Sequence, residues 1–201
     1  VSDFALKQAK NAGKDSIYLF KQEDYDAFLR KGRLIMVLRN AVMNDFEGFE
    51  VYYQPIVDSD SEKILGAEAL MRFTDRSEGQ EERISPVEFI PLLEETGLII
   101  PVGKFLLDQS MSMCSEMQSY VPGFKININI SYIQITKSDI FRDIVSALDT
   151  YRLAPECVCV ELTESGYIDL TPSFCELRKN LYEKGIQFII DDFGTGYSNL
   201  H

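Results

Sequence analysis

A largely apolar run over residues 187–190 ends in Asp191 and Asp192 and continues into Phe193-Gly194-Thr195-Gly196-Tyr197-Ser198. Two adjacent carboxylates at the end of a hydrophobic strand repel each other and resist desolvation. A bound cation removes both penalties. Glu68, Asn129 and Glu161 each lie in another apolar, strand-like run. Carboxylates and an amide carbonyl together make the hard oxygen set that Mg2+ or Mn2+ takes. The single histidine is His201, so histidine-ligated zinc and Ser-His-Asp hydrolysis have no material here.

These donors need strands to hold them. Side chains alternate along a strand, which puts Glu68, Leu70 and Arg72 on one face of a strand over 64–73. A Glu–Arg pair on a solvated sheet face is the plainer reading, but a parallel strand covered by helices has no solvated face. Over 125–131, Ile126, Ile128 and Ile130 share one face, while Asn127, Asn129 and Ser131 share the other. That polar row is either a buried hydrogen-bond network or a ligand site. Glu161 lies opposite Val158, Val160 and Leu162; Glu164 follows, to cap the next helix or anchor a loop. Asp191 and Asp192 reach one site only if the backbone turns after them, and Gly194 and Gly196 permit that turn.

The pattern predicts a helix and a turn at Gly13-Lys14, a short strand over 16–20, then a connecting helix over 23–44. From there strand and helix alternate. Strands are expected over 50–57, 64–73, 125–131, 157–163 and 186–192, with a mobile loop over 74–83. Pro55 marks the first strand as an edge or a bulge. Helices are expected over 85–95, 102–120, 138–151 and 172–184. Ser85, Pro86 and Glu88 read as a capping box, and Gly97 and Gly185 as stops. Alternating βα units make a parallel sheet. Either the sheet is open, or it is a TIM-like (β/α) barrel short of its last units; the second is preferred, because acidic residues gather at the C-terminal strand ends.

Composition narrows the function. No apolar run approaches the ~20 residues of a membrane span. A net charge of -12 argues against a nucleic-acid polymer as partner. A phosphorylated ligand would need cations and placed arginines. Cys114, Cys157, Cys159 and Cys175 lack metal-type spacing; Cys157 and Cys159 read as core residues on one strand face, in a reduced, cytoplasmic setting. Val1-Ser2-Asp3-Phe4 reads as the inside of a longer protein.

The motifs, taken in order, resemble the EAL domain family of cyclic di-GMP phosphodiesterases. Tyr53-Gln54-Pro55-Ile56 is similar to its first strand, and Glu68-Ala69-Leu70 with Arg72 to its signature. Ser85-Pro86 through Gly97-Leu98-Ile99 resembles its first helix. Asn129-Ile130-Ser131 with Gln134, Glu161-Leu162-Thr163-Glu164-Ser165 and Asp191 through Ser198 follow in family order. Residues 3–14 resemble the closing helix of a GGDEF (diguanylate cyclase) domain, with Lys7 where that family usually has tyrosine. The implied organisation is a GGDEF tail over 1–22, a connecting helix over 23–48 and an EAL domain over 49–201, incomplete at its C-terminus.

The resemblance implies a barrel with an antiparallel first strand. Glu68, Asn129, Glu161 and Asp191 would ligate Mg2+ or Mn2+, with Asp192 serving a second ion. Gln54, Leu70 and Arg72 would contact cyclic di-GMP, and Glu164 would hold the loop Phe193, Gly194, Thr195, Gly196, Tyr197 and Ser198. Glu68, Asp191, Asp192 and Glu164 form the implied catalytic group. The implied reaction is hydrolysis of one 3′,5′-phosphodiester to linear pGpG, the ions stabilising charge on the attacking and leaving oxygens. The family's catalytic lysine, a further glutamate and a Gln-Gly segment belong to later strands, so hydrolysis is expected of the complete parent. A non-catalytic receptor or an inactive truncated fragment are the alternatives. Expected partners are a GGDEF domain of the same parent and, since the family often dimerises through barrel helices, a second copy. The parent is expected in the cytoplasm, with or without an anchor elsewhere.

The repulsion at the acidic cluster gives a direct expectation. Asp191→Ala weakens divalent-ion binding yet raises the metal-free melting midpoint by about 2–4 °C, the shift for ~1 kcal/mol in a chain of this size. A lower midpoint in chelator contradicts the cluster.

Overall fold

The computed structural model describes residues 4–6, 10, 17, 19–79, 81–163 and 171–191, except for the side chains of 78, 163, 190 and 191. Most of the expected N-terminal helix, the Gly13-Lys14 turn, Glu164, Asp192 and residues 193–198 lie outside the described residues. Ile17, Leu19 and Phe20 are exposed and belong to no strand. The strand expected over 16–20 therefore does not form at those positions; no neighbouring strand pairs their backbone.

Helix α1 (Gln22–Met43) is the connecting helix, and it buries Leu34, Leu38 and Ala41 along one stripe. Strands β1 (Phe49–Val57) and β2 (Ile64–Asp75) then pair antiparallel, with a register irregularity at Ile56 and Val57, just beyond Pro55. After β3 (Glu82–Ile84) come α2 (Pro86–Thr96) and α3 (Ile99–Met117). The rest alternates: β4 (Lys125–Ile130), α4 (Tyr132–Lys137), α5 (Ile140–Tyr151), β5 (Val158–Thr163), α6 (Pro172–Lys184) and β6 (Gln187–Asp191). The sheet runs β1-β2-β4-β5-β6, with β3 on β2. From β2 to β6 this path is parallel.

One face of the sheet packs on helices. Ala67, Ala69 and Phe73 of β2, the three isoleucines of β4, and Val158, Val160 and Leu162 of β5 are buried there. Phe89, Leu93, Val102, Met111, Ile144 and Leu181 meet them from the helices. The β1 edge is also tied to a helix, because the Tyr53 hydroxyl donates to the Gln109 carbonyl at 3.0 Å. Burial pushes that phenol up to about 12. Among the described residues, no helix is long and apolar enough to cross a membrane.

Local chemistry revises several expected boundaries. The loop expected over 74–83 instead continues β2 to Asp75, makes a single 3-10 turn at Ser77–Gly79 and adds β3. Arg30 and Arg33 of α1 reach Glu82 and the buried Asp75, each at 2.8 Å, and fix this segment. Ser85 precedes α2 without a side-chain cap, so the expected capping box is absent. Its acidic partner Glu88 is taken by Arg30, which holds that carboxyl below the usual carboxylate range. A two-pronged guanidinium–carboxylate pair outcompetes a single bond from the carboxylate to a backbone N–H.

The row expected on one strand also divides. β4 stops at Ile130 because Ser131 caps α4, a helix the periodicity does not reveal: its backbone N–H donates to Gln134 Oε1 at 2.9 Å, and its hydroxyl accepts from the Ile133 N–H. The helix expected from Ser138 begins at Ile140, capped by Asp139. Cys157 belongs to a 3-10 turn, Pro155–Cys157, so Cys157 and Cys159 do not share a strand.

Parallel pairing of β2 and β4 requires a close backbone approach. Gly66 sits opposite Lys125, and a Cβ on it would lie 2.3 Å from the Lys125 carbonyl oxygen. Gly66→Ala is expected to cost about 1–3 kcal/mol through overpacking. Urea unfolding would show a lower midpoint at unchanged slope; an unchanged midpoint contradicts the close fit.

Candidate functional site

The sheet face away from the helices carries the polar rows. Glu68, Leu70 and Arg72 alternate with buried residues on β2, as do Asn127 and Asn129 on β4. Register brings the rows side by side: Gln54 beside Glu68, Glu68 beside Asn127, Asn129 beside Glu161, and position 163 beside Asp191. Glu68 and Arg72 form no ion pair among the described residues; Arg72 donates to the Met71 carbonyl at 2.8 Å. The solvated Glu–Arg pair is thus not what forms.

Amides bind the carboxylates instead. Asn129 Nδ2 donates to Glu68 Oε1 at 2.8 Å, and Asn127 Nδ2 donates to Glu161 Oε1 at 2.7 Å. The first bond fixes the Asn129 amide, since a flipped oxygen would face the Glu68 carboxylate and repel it. Asn129 Oδ1 then points away from Glu68, buried and without a hydrogen-bond partner among the described residues. A buried acceptor left so costs about 1–3 kcal/mol.

This orphaned oxygen tests whether a divalent ion fits. An amide oxygen flanked by two carboxylates is a hard donor set of the Mg2+ or Mn2+ type. Cys159 lies on the same strand face as Glu161, and burial first, with the Glu161 carboxylate second, pushes its thiol up to about 12. Among the described residues no three His, Cys, Asp or Glu side chains converge. Glu68 and Glu161 therefore stand for the four expected carboxylates. Asp191 ends β6 in register with position 163, and its side chain, like Asp192 and Glu164, lies outside the described residues.

A cavity of about 270 Å³ opens against these strands, between β2, β4 and helices α2 and α3. Leu70, Ile90 and Leu93 form apolar walls, and Glu68, Arg72 and Asn129 line its polar side. Gln54 sits outside this cavity, exposed on β1. Glu94 of α2 accepts a short hydrogen bond from the Ser131 hydroxyl and lines the cavity too. Sequence reasoning passes over Glu94; its place four residues after Ile90 on the inward side of α2 was the available signal.

Comparison with known proteins agrees with this arrangement. The sequence profile described as EAL domain matches residues 37–201, beginning within α1. Signaling protein YkoW of Bacillus subtilis (strain 168) is 35% identical over 199 residues, covering 99% of this chain and 24% of that protein. The Pseudomonas aeruginosa protein named bifunctional diguanylate cyclase/cyclic di-GMP phosphodiesterase MucR is 30% identical over 203 residues, covering 99% of this chain and 28% of that protein. The chain thus spans about a quarter of the length of these curated relatives. Among solved structures, the PaMucR phosphodiesterase in its c-di-GMP complex matches with a TM-score of 0.71 at 32% identity, over 83% of this chain and 66% of that one. Profile, antiparallel first strand and parallel strand order agree: the chain belongs to the EAL domain family and has its TIM-like (β/α) barrel fold.

Proposed function

We propose that this chain carries the core of a metal-dependent phosphodiesterase that hydrolyses cyclic di-GMP to linear pGpG. The observation that supports it most is the buried Asn129 Oδ1, unpartnered among the described residues and set between Glu68 and Glu161 on a family fold. Glu68, Asn129, Glu161 and Asp191 would hold Mg2+ or Mn2+, with Asp192 serving a second ion. Bound there, the ions supply charge stabilisation for the attacking and leaving oxygens on phosphorus.

The chain's own residues bind and orient the ligand. Arg72 offers a planar donor fork to a phosphate oxygen on the side of the cavity that Glu68 also lines. Leu70 and Ile90 cover an apolar surface such as a base face and exclude water. Gln54, beside Glu68 in register, adds a polar contact. Glu164 would hold the loop from Phe193 to Ser198. The same reading assigns residues 1–22 to a GGDEF tail, 23–48 to the connecting helix and 49–201 to the EAL domain. It also gives the protein a GGDEF neighbour in one parent chain, a cytoplasmic place and a homodimer formed through barrel helices.

The test is turnover of cyclic di-GMP by the intact protein with Mg2+ or Mn2+, followed as pGpG by chromatography. Activity is expected with the ion and none in chelator. Glu68→Gln and Glu161→Gln are expected to lower kcat by about 100-fold or more, beyond the ~10–100-fold cost of losing an outer partner of a metal ligand. Metal-indifferent binding of cyclic di-GMP with no pGpG overturns hydrolysis in favour of a receptor.

A further inference from the structure

The short strand β3 carries one residue toward the site face. Its neighbours are committed elsewhere: Glu82 is ion-paired to Arg30, and Ile84 is buried in the core. Alternation turns Arg83 between them to the opposite side. There it donates to the Tyr52 hydroxyl at 3.0 Å, with its guanidinium carbon 6.0 Å from the centre of the Tyr52 ring. Arg72 lies 5.6 Å from the same ring centre. Tyr52 pairs in register with Leu70, and Arg83 with Thr74, so all three side chains belong to the face that bears Glu68.

Two guanidiniums at one ring repel each other. The ring's quadrupole offsets only ~1 kcal/mol of this at an exposed site. Carboxylates abound in a chain of net charge -12, yet neither arginine has one among the described residues. Glu50, opposite Arg72 in register, is taken by Arg76 at 3.2 Å, and Arg30 and Arg33 are also paired with acids. Paired planar donor forks without a carboxylate among the described residues have the geometry that matches a phosphate.

We infer that Arg83, supported by Tyr52, is a second phosphate-contacting residue that works with Arg72 on cyclic di-GMP. The inference rests on the function proposed above and adds a substrate contact to it. At a rise of about 3.3 Å per residue, Arg72 stands ~13 Å along β2 from Glu68. That separation suits the diester that is not cleaved. The pair therefore holds the dinucleotide without touching the reacting phosphorus, and its loss weakens binding more than turnover.

Steady-state kinetics of the intact protein test this with Arg83→Gln, Arg83→Lys and Tyr52→Leu. Arg83→Gln is expected to raise KM for cyclic di-GMP about tenfold, the size of one charge-assisted hydrogen bond, with kcat within about twofold. Arg83→Lys recovers part of the loss, because an ammonium neither stacks nor forks. Tyr52→Leu raises KM in the same direction. Guanosine, which has no phosphate, inhibits wild type and Arg83→Gln equally. Arg83 is exposed, so melting midpoints stay unchanged. An active wild type with unchanged KM in Arg83→Gln, or with the loss confined to kcat, overturns this inference and leaves the proposed function standing. A wild type that neither binds nor cleaves cyclic di-GMP overturns both.

Discussion

A single amide orientation organises the site. Asn129 must turn its nitrogen toward Glu68, because its oxygen cannot face a carboxylate, and the remaining carbonyl is thereby buried without a partner among the described residues. Asn127 does the same service for Glu161 one strand over. The two amides stand between carboxylates that would otherwise repel across the sheet. Each of these bonds joins adjacent parallel strands on the face away from the helices, so hydrogen bonding and strand order support each other. What the network leaves unsatisfied is one hard oxygen, and that is the opening for a cation.

The rest of the fold holds this geometry from behind and from the side. Behind it, the isoleucines of β4 and the valines of β5 are buried against helices, which denies the strands any slip in register, since a one-residue shift would bury the amides. From the side, α1 binds the β2–β3–α2 segment through Arg30 and Arg33. The same contacts leave Glu88 unable to cap α2 and leave Arg83 as the residue of β3 turned toward the ligand face. Helix α1 thus touches the elements that carry Arg72 and Arg83, although it contributes nothing to the cavity lining.

Alternation and spacing made much of this readable in advance. The polar row Asn127 and Asn129, the opposite isoleucines, and the placement of Glu68, Leu70 and Arg72 on one face follow from period two alone. The helix over Pro172–Lys184 and its glycine stop follow from local signals. Misreadings arose where distant residues competed for a local group. Glu88 looks like a cap until Arg30, far away in sequence, takes it. Ser131 looks like a strand residue until Gln134 folds back onto its backbone. Residues 74–83 look like a polar loop because the partners of Asp75 and Glu82 lie on α1. Glu94 and Arg83 escaped notice for the same reason: their roles come from Ser131 and Tyr52, which only the fold brings near.

Anomalous diffraction from crystals of the protein grown with Mn2+ tests the central claim most directly. A peak is expected at about 2.0–2.4 Å from Asn129 Oδ1, shared with oxygens of Glu68 and Glu161. Manganese bound only elsewhere, with Asn129 Oδ1 satisfied by another protein group, contradicts it.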